Sequence, residues 1–108
     1  MATSLKNYIS ANIGTTATTV FNPTTAGQQS TIIGLSLANV SAQSINASVT
    51  LTSGATTVYI IKNTSIPSGN ALSILKDSKI IVEQNDIIQV VSSIASSLDV
   101  VISTVEVV

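Results

Sequence analysis

The sequence predicts an all-β protein, an antiparallel β-sandwich or jelly roll of about eight short strands. Three observations predict it. Apolar residues make up 44% of the chain but aromatic ones only 3%, so Ile, Val, Leu and Ala must fill the interior. Together with abundant Thr, these suit a pleated, half-buried surface. Apolar and polar residues also alternate with period two, most cleanly where Ile45, Ala47, Val49 and Leu51 oppose Asn46, Ser48, Thr50 and Thr52. Finally, turn residues recur about every 8–12 residues. A chain of 108 residues allows one core and one domain.

Taken in order, Met1 to Gly14 read two ways. Leu5, Tyr8 and Ile9 fall at helical spacing between Thr3 as a cap and Gly14 as a stop, while Tyr8, Ile9 and Ile13 also suit a short strand. We treat residues 1–14 as an N-terminal arm, packed on a neighbouring subunit or loosely tied, outside a single domain over residues 15–108. Thr15 to Phe21 has strand propensity and is broken by Asn22, Pro23 and Gly27. In Thr31 to Val40 the alternation sets Ile33, Leu35 and Leu37 on one face and Ser36 on the other, with Gly34 marking a bulge or a close backbone approach.

Ile45 to Thr52 is the next strand, and Ser53-Gly54 turns the chain. Thr57 to Lys62 is apolar on both faces, Val58 and Ile60 opposing Tyr59 and Ile61, so one face should meet a second sheet or another subunit. Pro67 and Gly69 make Asn63 to Asn70 a loop, and Ala71 to Leu75 is a short strand. The last thirty residues hold three strands, Lys79 to Glu83, Ile87 to Ser92 and Leu98 to Val107, joined by two polar turns. In the last, Leu98, Val100 and Ile102 share a face that Val105 and Val107 do not. Either a bulge near Ser103 shifts the phase or the strand is covered on both sides.

Composition excludes several functions. The net charge is −1, with four Lys, no Arg and five carboxylates, so Lys6, Lys62, Lys76 and Lys79 cannot form the cationic cluster that nucleic acid requires. Sparse charge suits a subunit that covers its surface with neighbours. The chain holds no Cys and no His, which removes thiolate chemistry, disulfides and the usual proton carrier. The opening MATSLKNYIS lacks a signal-peptide pattern, and no apolar run is long enough to span a membrane, so a protein made in a cytoplasm is expected. Asn39, Asn46 and Asn63 begin N-x-S/T triplets that a Ser/Thr-rich chain produces by chance.

The remaining candidate groups favour structural readings. Ser73 and Lys76 have S-x-x-K spacing, but residues three apart on a strand face opposite ways. Glu83 and Asp86, with Asp77 nearby, bracket a turn. Too few ligands gather there for calcium, and Asp86 is expected to bond its own backbone. Asp99 and Glu106 read as outward-facing strand charges that deter edge pairing. Tyr8, Phe21 and Tyr59 read as core or interface filler. No catalytic, cofactor-binding or metal-binding residue is assigned, and an enzyme is not expected.

Several segments together resemble a group of small tailed-bacteriophage virion proteins found in cyanophages and other marine phages. They are KNYISANIGTTATTVF, TIIGLSLANVS, TTVYIIKNTSIPSGNALSIL, KIIVEQNDIIQVVSS and SSLDVVISTVEVV. Shared features are the strand with Tyr59 followed by Lys62, Asn63, Ile66 and Pro67, the basic-to-acidic strand Lys79 to Glu83, the acidic turn before Asp86 to Val91, and the closing Ser-x-Asp-Val-Val strand. At Gln84-Asn85 the chain departs from its relatives, where Gly is frequent. The resemblance implies a virion component without catalytic chemistry, first of all a capsid decoration or cement protein. It would act as a homo-oligomer, such as a trimer, bound to the major capsid protein or other virion proteins. A tail, neck or baseplate position is the rival within that class. A receptor- or glycan-binding module using Asn22 to Ser30 and Asn63 to Asn70 is the alternative from another class.

Overall fold

The structure, a computed structural model, describes residues 3–75 and 79–107. These residues form β1 (Thr3–Ile13), β2 (Thr18–Phe21), β3 (Gln29–Asn39), β4 (Ile45–Ser53), β5 (Thr56–Ile66), β6 (Ala71–Ser73), β7 (Ile80–Val82), β8 (Ile87–Ser92) and β9 (Leu98–Val107). One sheet runs β1-β9-β3-β6, with β7 also on β3, and the other runs β2-β8-β4-β5. Every pairing is antiparallel. The all-β sandwich expected from the alternation is therefore present.

The connectivity has a simple origin. β6 pairs Ser36–Ala38 of β3 and β7 pairs Ser30–Ile32, so the two act as one interrupted strand. The chain then forms a ribbon in which β1 pairs β9, β2 pairs β8, β3 pairs β6 and β7, and β4 pairs β5 across the turn at Gly54. Rolling that ribbon brings β3 against β9 and β4 against β8, which makes a jelly roll.

At each place where the ribbon changes sheet, two crossing segments run side by side and hydrogen-bond each other. Asn85 N–H donates to Pro23 O (2.7 Å) and Asn22 Nδ2 to Asp86 O (2.8 Å), tying the β2–β3 and β7–β8 crossovers. At the opposite end Ser92 N–H donates to Gly14 O (2.8 Å) and Ser97 N–H to Ile13 O (3.1 Å). Gly14 suits the close approach there, because a Cβ would stand a tight 3.2 Å from the Ala95 and Ser96 backbone. Nearby, the Asn39 side chain is 2% exposed and uses its full capacity. Its Nδ2 donates to Gln43 O and Ile66 O, and its Oδ1 accepts from Ser41 N–H and Ser41 Oγ. Asn39 is thus a structural hub, although it begins an N-x-S triplet.

Both sheets line one core, with Ile32, Leu35, Leu37, Val100 and Ile102 facing Ile45, Val49, Ile88 and Val90. Here the structure corrects the expected phase of β3. Ile33 is exposed and Ile32 takes the core position, because β3 has one extra residue between the pairs Ile32↔Thr104 and Gly34↔Ser103. The irregularity lies in β3, so β9 keeps its phase and Thr104 and Glu106 continue the inward face begun by Leu98. Gly34 marks that bulge, though a Cβ there would meet Ser103 only at an ordinary 3.6 Å.

The N-terminal segment is also corrected. Instead of an arm outside the domain, Thr3–Ile13 is an edge strand in register with β9 from Thr3↔Val107 to Ile13↔Leu98. Ile13 enters the core, and the Tyr8 ring packs on Phe21 at 4.7 Å between centroids. β5 runs on to Ile66, four residues past the expected end. Asn85 takes a left-handed φ of 71° in the β7–β8 crossover, a conformation that Asn adopts more readily than most residues other than Gly.

Two outcomes follow from these contacts. Replacing Asn39 by Ala should lower the unfolding free energy by about 2–4 kcal/mol, since the crossover groups it serves lose their partners. Urea denaturation measures this, and a loss under about 1 kcal/mol would show the crossovers do not depend on it. Deleting residues 1–14 should expose β9 and the core beneath Ile13, giving an aggregating chain. A cooperatively melting, monodisperse truncation would contradict that.

Candidate functional site

Two regions stand out, a polar cluster in one open end of the sandwich and the outward face of the first sheet. The cluster exists because β9 keeps its inward phase past the apolar core. Glu106 is 3% exposed, and a buried carboxylate is stable only with strong donors around it. It has them: Tyr8 Oη donates to Oε2, as does Thr104 Oγ1 at 2.9 Å, and Gln28 Nε2 donates to Oε1 at 2.9 Å. Gln28 Nε2 also reaches Ser30 Oγ at 3.2 Å. The network joins β1, β3, β9 and the β2–β3 loop, and corrects the expectation that Glu106 is an outward-facing charge.

A cleft of about 480 Å³ opens beside it, between the edges β1 and β2, lined by Lys6, Tyr8, Phe21, Asn22, Thr24 and Gln28 among others. Burial, then the hydrogen bond and the negative charge of Glu106, push the Tyr8 phenol up to about 12 from its ordinary 10.0. Tyr8 therefore holds its proton far above neutral pH, and the Glu106 oxygens are occupied within the chain. This arrangement fastens strands together and offers no free acid–base pair for chemistry near neutrality.

The outward face of the first sheet carries apolar side chains in two cross-strand rows, separated by a row of Asn7, Ser103 and Gly34. Leu5, Val105, Thr31 and Ile81 lie opposite one another across β1, β9, β3 and β7, and Ile9, Val101 and Ser36 form a parallel row. Leu5 is 78% exposed, Ile9 74% and Ile81 68%, with Ile33 and Val101 also exposed. Among the described residues of these strands, Lys6 and Glu106 lie on the inward side, and Asp99 is the one charged residue facing out. Asp99 Oδ1 accepts from the backbone N–H of Asn12 at 3.0 Å, where β1 bulges. β9 is flanked on both sides, so Asp99 serves that bulge instead of guarding an edge. Of the two readings of β9, a bulge opposite Ser103 is present but lies in β3, so β9 itself does not change phase. The in-register pairing places Val105 in the outward row.

The other candidates disperse. Glu83 and Asp86 bracket the β7–β8 turn, and Asp86 Oδ2 accepts from Glu83 N–H at 2.9 Å, the backbone bond expected of it. Among the described residues no three His, Cys, Asp or Glu side chains gather as metal ligands. Asp77 and Lys76 lie outside the described residues, and Ser73 ends β6. Tyr59 is exposed on β5 with Lys62 Nζ 5.1 Å from its ring centroid, an exposed contact far from Tyr8 and Phe21 in strand order. The loops after Phe21 and after Ile66 fall at opposite ends of a molecule 45 Å long, so they cannot build one recognition site. No helix among the described residues is long and apolar enough to cross a membrane. No protein-family model matches the chain, and no curated protein matches it.

The Tyr8 environment predicts an alkaline signature. The neutral phenol is favoured in the fold, so its contribution to stability is complete below about pH 10 and is lost as pH rises toward 12. Tyr8→Phe should remove a tyrosinate absorbance step with a midpoint near 12 and flatten the stability loss across that window. Titration of Tyr8 near 10 in the parent protein would refute the Tyr8–Glu106 hydrogen bond.

Proposed function

We propose that this protein is a structural component of a tailed-bacteriophage virion, a capsid decoration or cement protein that binds the major capsid protein and stabilises the shell by contact. The observation that carries this reading is the nearly uncharged outward face of the first sheet, on which the apolar side chains of Leu5, Ile9, Val101 and Ile81 are exposed. Exposed apolar patches of this kind mark interaction surfaces. The segment-by-segment resemblance to phage virion proteins supplies the class of partner, and the jelly roll is a frequent architecture of capsid domains. The role is mechanical, the work of many weak contacts across capsomer boundaries, and its site is the virion. A tail, neck or baseplate position would use the same face.

A second reading, a glycan-binding module, has the cleft between β1 and β2 in its favour, where Asn22, Gln28 and the threonine hydroxyls surround the Tyr8 and Phe21 rings. A glycan array separates it from the first. Specific binding by a protein lacking from the mature particle would favour the module.

Tracing this chain into a cryo-EM map of the intact particle tests the main reading, with Ile81 and Val101 expected in contact with the shell. The pair Ile81→Asp and Val101→Asp should lower occupancy on the particle at least about tenfold, because burying unpaired carboxylates opposes docking. Both positions are exposed, so the far-ultraviolet spectrum should not change. Full occupancy by the double variant would rule this face out.

A further inference from the structure

β1 differs from the other sheet edges among the described residues. The edge strand of the second sheet, β5, is as long, but it is bulged twice, at Ile60 and at Lys62–Asn63, where Asn63 has a φ of 49°. β2 has four residues and a register shift, and β6 and β7 have three residues each. Bulges and shortness are the usual devices that stop an edge from pairing. β1 has eleven residues, no Pro, and regular pairing from Thr3 to Ser10. Its one irregularity is confined to the far end, between Ser10 and Ile13. Its free side therefore offers an unblocked row of backbone donors and acceptors, a template for strand addition.

We propose that β1 is the seam of a homodimer, in which β1 of a second copy adds antiparallel about a two-fold axis at Asn7 and joins the two first sheets into one. The register follows from the side chains. Opposed residues in one sheet point to the same face, so the axis must fall at a residue position. An axis at Lys6 would set two ammonium groups directly opposite each other. An axis at Tyr8 would set Leu5 opposite Ala11 and Ile9 opposite Asn7, wasting both apolar side chains. The axis at Asn7 sets Leu5 opposite Ile9 twice on the outward face and Lys6 opposite Tyr8 twice on the inward face, with the neutral Asn7 opposite itself. These are apolar and cation–aromatic cross-strand pairs, both stabilising.

Size favours the same occupant. Four strands about 4.8 Å apart and roughly ten residues long present an outward face of about 600 Å². That falls short of the ~800 Å² that one partner contributes to a standard interface. Joining two copies doubles the face and puts Leu5 and Ile9 of both at its centre. An isologous contact of this kind closes with two copies, so the trimer expected from the sequence would need a second, different contact. The inference deepens the assembly reading but is tested on the isolated chain. Failure of the dimer leaves a virion position standing, and absence from a virion leaves the dimer standing.

The chain has no cysteine, which makes single cysteines clean probes. In the proposed dimer Asn7 meets its own counterpart with Cα atoms about 4.5–5.5 Å apart, inside disulfide range. Leu5 lies about 14 Å from its counterpart, beyond it. Mild oxidation of Asn7→Cys should therefore give a covalent species of twice the 11.1 kDa chain mass, and Leu5→Cys should not. Sedimentation of the parent should likewise give twice the chain mass, and Asn7→Lys, which opposes like charges at the axis, should return it to one. A parent that sediments as a monomer at concentrations used for structural work, or equal cross-linking of the two cysteine variants, would overturn the proposal.

Discussion

The fold depends on satisfying backbone groups where the chain leaves one sheet for the other. A sandwich whose strands form one long rolled ribbon sends its chain across the open ends in pairs, and each crossing takes peptide groups out of the ladders. Left unpaired, buried groups of this kind cost about 1–3 kcal/mol each, a large share of a small domain's stability. The crossings answer one another, Asn22 and Pro23 with Asn85 and Asp86, Gly14 with Ser92, and Asn39 with Ile66. Without these ties the two sheets could still each pair their strands, but nothing would hold the ends of the core shut.

The two ends are closed by different chemistry, and the reason lies in β9. Its inward residues run from Leu98 through Ile102 to Thr104 and Glu106, so the core changes from aliphatic to polar within one strand. The cleft between β1 and β2 opens at the polar end, and a carboxylate with three donors is a directional fastening that aliphatic packing cannot supply there. It sets the β2–β3 loop through Gln28 and holds the edge strand β1 through Tyr8. The aromatic ring of Tyr8 on Phe21 adds about 0.5–1.5 kcal/mol to the same attachment.

Holding β1 in the sheet has a consequence outside it. The strand that closes the core on its inner side carries Leu5 and Ile9 on its outer side, and its far edge is left regular. A monomer that evolved only for solubility would place charges or a bulge along such an edge, as β5 does at Asn63. The same low charge that makes the sequence look assembly-prone leaves Asp99 as the one charged residue facing outward among the described residues of the first sheet.

From the sequence by itself came the fold class, most strand positions and the turn chemistry. Each rests on information local to a few residues: the period-two run from Ile45, the Gly54 turn, the turn in which Asp86 accepts from Glu83 N–H. The tertiary structure alone decided which face each ambiguous strand turns inward and which strands meet. Ile32 displaces Ile33 from the core because a bulge against β9 resets the phase, and pairing partners of a bulge are remote in the chain. Glu106 has the same local pattern as Asp99, a charge between aliphatic neighbours, yet one is buried by Tyr8 and Gln28 and the other caps a backbone bulge. Tyr8 and Glu106 stand 98 residues apart, and only the rolled ribbon brings them within a hydrogen bond. The edge character of β1 is likewise a property of sheet order, which no periodicity along one strand can encode.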